Sequence, residues 1–289
     1  MAAIDCGTNS LRLLVADLPS APAGPLVDVV RRMEIVRLGA GVDRTGRLAP
    51  DALERTRRVL AEYADQVRAL GAARTRMVAT SATRDAANAD EFRAMVMKTL
   101  GQPAEVVSGE AEARLSFAGA TRGLPTDVVP PFLVVDIGGG STEFVLGTRT
   151  AEQATSVDIG CVRLTERHLH DDPPTPAQVA AAAADIVAAV DRALDVVPGR
   201  RARTLLGLAG SVTTVTALAL GLTGYDPVRI HHARIGYPEV ARVCAELLAL
   251  TVAQRRALPV MHPDRADVIG AGALVLRVVM QRLGADSVV

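Results

Sequence analysis

Two segments of this chain, starting at Ala2 and at Leu133, carry one local pattern, and that repetition restricts the fold more than any other feature. The first reads Ala2-Ala-Ile-Asp5-Cys-Gly7-Thr8-Asn9-Ser10 and runs on through Leu11-Arg-Leu-Leu-Val15. The second reads Leu133-Val-Val-Asp136-Ile-Gly138-Gly139-Gly140-Ser141 and runs on through Thr142-Glu-Phe-Val-Leu146. Each is an apolar strand ending in Asp, a turn of glycine and small polar residues closing on Ser, then a second strand. Asp, the first Gly and Ser fall at identical offsets. Glycine lets backbone N–H groups approach and converge on an anion, and the hydroxyls add donors. Gly7, Thr8, Asn9 and Ser10, and likewise Gly138, Gly139, Gly140 and Ser141, are therefore candidate phosphate-binding groups. An Asp at the strand end repels phosphate but can hold a hydrated Mg²⁺ or another divalent cation that binds it, which marks Asp5 and Asp136. One such turn is ordinary among hairpins. Two at matching offsets imply two lobes that grip a phosphate chain from both sides.

Two lobes suit the length of 289 residues, and a hydrophobic fraction of 49% is ample for two cores. Aromatic residues are 2% of the chain, with no Trp, so base-stacking platforms for single-stranded nucleic acid are excluded. A net charge of zero argues against a protein that coats duplexes. No nucleic acid partner is expected. Cys6, Cys161 and Cys244 are scattered and odd in number, as reduced thiols of a cytoplasmic protein would be. No secretory start is visible, and the most apolar stretch, Ala177 to Val197, is interrupted by Asp185, Asp191, Arg192 and Asp195. It reads as a soluble helix, so no membrane partner is expected.

Strand-like and helix-like stretches alternate along the whole chain, the pattern of an α/β protein. Strands are expected at Leu11–Ala16, Leu26–Arg32, Arg76–Ala79, Phe132–Val135 and Leu205–Leu208. Helices are expected over Pro50–Leu70, closed by Gly71, and over Asp90–Leu100, stopped by Gly101. Ser108 suits an N-cap for a helix to about Ala118. Thr175-Pro-Ala-Gln178 and Thr251-Val-Ala-Gln254 match capping boxes. A long apolar helix spans roughly Arg265–Leu283. The Pro-rich stretch Gly123 to Pro131 predicts the lobe junction, giving lobes of 1–125 and 126–272, with the final helix, 273–289, crossing back onto the first. The apolar final helix could instead serve a homodimer; both stay open.

A third candidate turn, Leu206-Gly-Leu-Ala-Gly210-Ser211, runs from a strand into a helix whose N-terminus would present free N–H groups. Gly210 and Ser211 join the phosphate-binding candidates. Neither a Walker loop nor a dinucleotide fingerprint is present. Taken in order, DCGTNSLRLLV, DIGGGSTEF and AGSVTT resemble the phosphate motifs of actin-like ATPases. With ATSATRDAAN, VVSGEAEARLSFAGA, DIGCVRLTE and PDRADVIGAGALVL, the chain more narrowly resembles the exopolyphosphatase and guanosine pentaphosphate phosphohydrolase family.

The resemblance implies two actin-like (ribonuclease H-like) lobes with an interlobe cleft. It places the catalytic glutamate at Glu112, metal-side carboxylates at Asp136 and Glu143 assisted by Asp5, and a phosphate-facing arginine at Arg84. The implied substrate is inorganic polyphosphate, losing its terminal phosphate as lobe closure keeps bulk water out. Longer members carry a further helical region where this chain stops, so short polyphosphates are expected. Guanosine pentaphosphate is the rival substrate. An ATP-dependent kinase or chaperone and a non-catalytic polyphosphate sensor are more distant alternatives.

Overall fold

The computed structural model describes residues 1–18 and 26–289, which divide into two compact units, Met1–Ser108 and Gly109–Val289. The first unit is built on strands β1 (Ala2–Cys6), β2 (Ser10–Asp17), β3 (Val27–Ile35), β4 (Thr75–Ala79) and β5 (Glu105–Val106), in the order β3-β2-β1-β4-β5. Strands β1, β2 and β3 form two successive antiparallel pairs, while β4 runs parallel to β1. In β2, Leu11, Leu13 and Val15 are buried and alternate with Ser10, Arg12 and Leu14, the period-two pattern of a strand with one face on a core. That face packs with Leu60, Tyr63, Met77 and Phe92. The unit's helices are α1 (Val42–Thr45), α2 (Pro50–Ala69), α3 (Ser81–Asp85) and α4 (Ala89–Leu100). Left-handed glycines, Gly71 and Gly101, follow α2 and α4 as expected.

The second unit begins with α5 (Gly109–Ala120) and holds β6 (Phe132–Ile137), β7 (Thr142–Gly147), β8 (Ala151–Val157) and β9 (Thr204–Leu208), in the order β8-β7-β6-β9. Again three strands form two antiparallel hairpins and the fourth lies parallel to the first. Between β8 and β9 run α6 (Cys161–His168) and α7 (Pro176–Val196). Both predicted capping boxes form, at Thr175 with Gln178 and at Thr251 with Gln254. After β9 come α8 (Ala209–Ala219), α9 (Pro227–Ile230), β10 (Ile235–Gly236), α10 (Tyr237–Ala249), α11 (Val252–Arg256), α12 (Ile269–Leu283) and β11 (Ser287–Val288). The repeated strand order makes both units α/β and actin-like.

Two expectations about domain limits fail on packing. Helix α5 belongs to the second unit, because Ala113 and Phe117 are buried against Val128, Phe132, Val134, Val145 and Leu206. The division therefore falls after Ser108 and not near 125. Nor does the last helix join the first unit: Leu274, Val275, Val278 and Val279 share a core with Leu133, Ile186 and Val190. Its apolar face is consumed there. Helix α12 also starts later than predicted, since Pro263–Arg265 form a 3₁₀ turn capped by the His262 ring. Among the described residues no helix is long and apolar enough to cross a membrane.

Candidate active site

Antiparallel pairing of β6 with β7 sets Asp136 directly opposite Glu143, and β8 sets Ser156 opposite Glu143. Directly paired residues project from the same face of a sheet, so Ser156, Glu143 and Asp136 form one row across three strands. Glu143 is only 1% exposed, and its Oε1 accepts a hydrogen bond of 2.8 Å from Ser156 Oγ. Burial pushes the Glu143 carboxyl well above the usual carboxylate range, and the charges of Glu112 and Asp136 push it the same way.

Glu112 enters from α5. Its helix neighbour one turn on, Ser116, lies on the same helix face and donates from Oγ to Asp136 Oδ2 at 2.6 Å. Glu112, Asp136 and Glu143 are thus gathered in one unit. Glu110 is excluded from the group: it is exposed and paired with Arg114 Nη2 at 2.9 Å.

Both predicted turns are closed by the same bond, from Gly7 N to Ser10 O and from Gly138 N to Ser141 O, each 3.0 Å. Their carbonyls are occupied from behind. Thr8 O accepts from Gly39 N, and Asn9 O from Val36 N and Arg37 N. In the second unit Gly138 O accepts from Cys161 N, Gly139 O from Val162 N, and Gly140 O from Arg163 Nε. Among the described residues, the N–H groups of Thr8, Asn9, Gly139 and Gly140 meet no backbone acceptor. Peptides whose carbonyls are tied on one side offer their N–H groups on the other, which is what an anion requires.

The remaining candidates are placed differently. The hydroxyl of Thr8 is buried against Ser81, 2.7 Å away, so this residue offers its backbone to an anion. Arg84 is half-buried on α3, with Nη1 donating to Val107 O at 3.0 Å. Asp5 lies opposite Arg12, 4.0 Å between charged atoms. The third turn departs furthest from expectation. The Arg265 guanidinium lies across Gly210, donating to Gly210 O at 3.0 Å where any Cβ would collide with it. Ser211 is buried beside Cys161 and packed against Gly272. At this joint the Arg265 guanidinium, and not the Ser211 hydroxyl, lies over the glycine.

A divalent cation fits the donors of the second unit. Asp136 and Glu143 are hard oxygen ligands on adjacent strands, gathered with a third carboxylate whose charge needs compensation. Among the described residues no three His, Cys, Asp or Glu side chains make a complete metal cage. Mg²⁺ does not require one, since it keeps waters and binds through one or two carboxylates plus substrate phosphates.

Sequence reasoning missed Ser116, Ser156, Arg163 and Arg265. Ser116 was legible as the residue four after Glu112, and Ser156 only once strand register was known.

The sequence profile of the Ppx/GppA phosphatase family matches residues 19–289. Exopolyphosphatase 2 of Mycobacterium tuberculosis is 50% identical over 99% of this chain and 92% of that protein. A guanosine-5'-triphosphate,3'-diphosphate pyrophosphatase of Aeromonas hydrophila is 29% identical over 99% of this chain, which spans 55% of that protein. A solved exopolyphosphatase-like protein superposes with a TM-score of 0.95 at 42% identity, covering 100% of this chain and 93% of that one.

Proposed function

The chain belongs to the Ppx/GppA phosphatase family, and on that premise we propose that it is an exopolyphosphatase, hydrolysing the terminal phosphate of inorganic polyphosphate to orthophosphate. The observation that carries this reading is Glu112 held on α5 beside the Asp136–Glu143 pair. Phosphoryl transfer needs positioning and charge neutralisation more than covalent chemistry. The N–H groups of Gly139 and Gly140 bind the oxygens of the terminal phosphate, and those of Thr8 and Asn9 and the Arg84 fork bind phosphates by the same chemistry. Glu112 takes a proton from the attacking water as its oxygen bonds to phosphorus and the bond to the bridging oxygen breaks. Asp136 and Glu143 would hold Mg²⁺ or another divalent cation, which supplies compensation for the charge on the phosphate oxygens.

Guanosine pentaphosphate ends in the same phosphoanhydride, and a relative is named for such a nucleotide, so it is the competing substrate. Three buried, unbridged thiols suit a reducing compartment, and we place the enzyme in the cytoplasm. The test is release of orthophosphate from polyphosphates of graded length, with guanosine pentaphosphate as competitor, for the natural chain and Glu112→Gln. The variant should lose about 10²- to 10⁴-fold in kcat, the usual worth of a general base. Near-normal turnover by the variant would remove Glu112 from the mechanism. Faster release from guanosine pentaphosphate than from any polyphosphate would reverse the choice of substrate.

A further inference from the structure

Ser116 stands out among the residues around the carboxylates because it links two elements that carry different parts of the chemistry. It lies on α5, four residues after Glu112, and its hydroxyl reaches Asp136 on β6 at 2.6 Å. A hydroxyl donating to a carboxylate at this length makes a charge-assisted bond, among the stronger kinds a side chain can form. The apolar side of α5 is fixed by Ala113 and Phe117, which are buried under β6 and β7. Apolar packing is non-directional and sets how closely a helix lies on a sheet better than how far it turns or slides. Ser116 supplies the directional contact.

The neighbouring carboxylate is held otherwise. Glu143 receives its hydroxyl bond from Ser156, a residue of the same sheet, directly across from it. That bond orients Glu143 without involving α5. The bond from Ser116 does two things at once: it holds the carboxylate of Asp136 by Oδ2, and it ties that carboxylate to the helix that carries Glu112.

We propose that Ser116 is a positioning residue that couples the cation site to the general base, through its hydroxyl bond to Asp136. This rests on the reading of Glu112 as base and of Asp136 and Glu143 as cation ligands. Groups that orient a metal ligand typically contribute about 10- to 100-fold in affinity or activity. A coupling residue should affect both quantities, whereas Ser156 should affect the cation alone.

Mn²⁺ binding to the metal-free protein, followed by electron paramagnetic resonance, reads the first quantity without turnover; kcat at saturating Mn²⁺ reads the second. Ser116→Ala and Ser116→Val should each bind Mn²⁺ about 10-fold or more weakly, and should remain about 10-fold slow at saturating metal. Ser116→Thr, which has the shape of Val and restores the hydroxyl, should recover both to within about 3-fold of the natural chain. Ser156→Ala should weaken Mn²⁺ binding but regain kcat when metal is saturating. If Ser116→Val matches Ser116→Thr in both readouts, the hydroxyl has no such role and the proposal falls, even with Glu112→Gln inactive. If Glu112→Gln stays active instead, the assignment of the base fails, and the Mn²⁺ titration still decides the Ser116–Asp136 half.

Discussion

The hairpin that follows β1 and the hairpin that follows β6 share a backbone and differ in charge. Both close with a glycine N–H on a serine carbonyl, and both are tied from behind by a segment carrying a glycine, Gly39 in one and Gly160 in the other. Opposite Asp136, however, stands the carboxylate Glu143, while opposite Asp5 stands Arg12. Glu143 is buried, and burial together with the charges of Glu112 and Asp136 opposes its ionisation; the mixed pair is nearly half exposed, with side-chain exposures of 43% and 46%. One backbone therefore carries two opposite charge patterns. The second hairpin sets two carboxylates side by side, whereas the first sets an arginine against its aspartate.

The largest expected effect tests that division at Glu143. Glu143→Gln should reduce kcat by more than about 100-fold, since changes to groups that merely support a metal ligand already cost about 10- to 100-fold. The same variant should be more stable than the natural chain in chelator-treated buffer. An acid whose folded pKa is raised stabilises the fold fully below its unfolded value of about 4.3 and loses that contribution as pH rises. Gln is never ionised, so its advantage should be absent near pH 4 and grow towards neutral pH. Thermal melts across that range would show it. Equal melting temperatures at neutral pH would mean that the buried carboxylate is not under strain.

Next in size are the glycines behind the turns. A Cβ on Gly160 would lie 2.3 Å from the carbonyl carbon and oxygen of Gly139, backbone atoms that cannot rotate away. A Cβ on Gly39 would lie 2.2 Å from Thr8 Cγ2, the end of a side chain. Gly160→Ala should cost about 3 kcal/mol, the upper part of the usual range for overpacking, and should distort the turn enough to depress activity. Gly39→Ala should cost less. Pairing it with Thr8→Ser removes the colliding methyl, keeps the hydroxyl that meets Ser81, and should restore most of the loss in a denaturant titration. Failure of that double variant to recover would place the strain in the backbone of both hairpins alike.

Much of this comparison was legible in the sequence, because strand–turn–strand repeats and capping boxes are local signals. Asp5, Gly7 and Ser10 matched Asp136, Gly138 and Ser141 by offset alone, and Thr175 with Gln178 marked the start of α7 to the residue. What stayed hidden depended on contacts distant in sequence. Ser211 looked like a phosphate ligand until its neighbours proved to be Cys161 and Gly272, fifty and sixty-one positions away. The Pro-rich stretch at 123–131 looked like a junction, but Phe117 on one side and Phe132 on the other bury into one core, which moves the division to Ser108. A linker composition says that chain is irregular; only packing says which unit owns it.

The smallest expected effect concerns Arg12, and it distinguishes the two hairpins most cleanly. An exposed pair whose charged atoms are 4.0 Å apart contributes about 0–1 kcal/mol, so Arg12→Gln should shift the melting temperature by no more than about 3 °C. If the arginine serves phosphate, its removal should raise KM for polyphosphate several-fold with kcat nearly unchanged, because a contact made equally to bound substrate and transition state shows in KM alone. Glu143→Gln should do the reverse, lowering kcat with a smaller change in KM. Should Arg12→Gln lower kcat as steeply as Glu143→Gln, the charge difference between the hairpins would not divide binding from catalysis, and both would have to be assigned to the reacting phosphate.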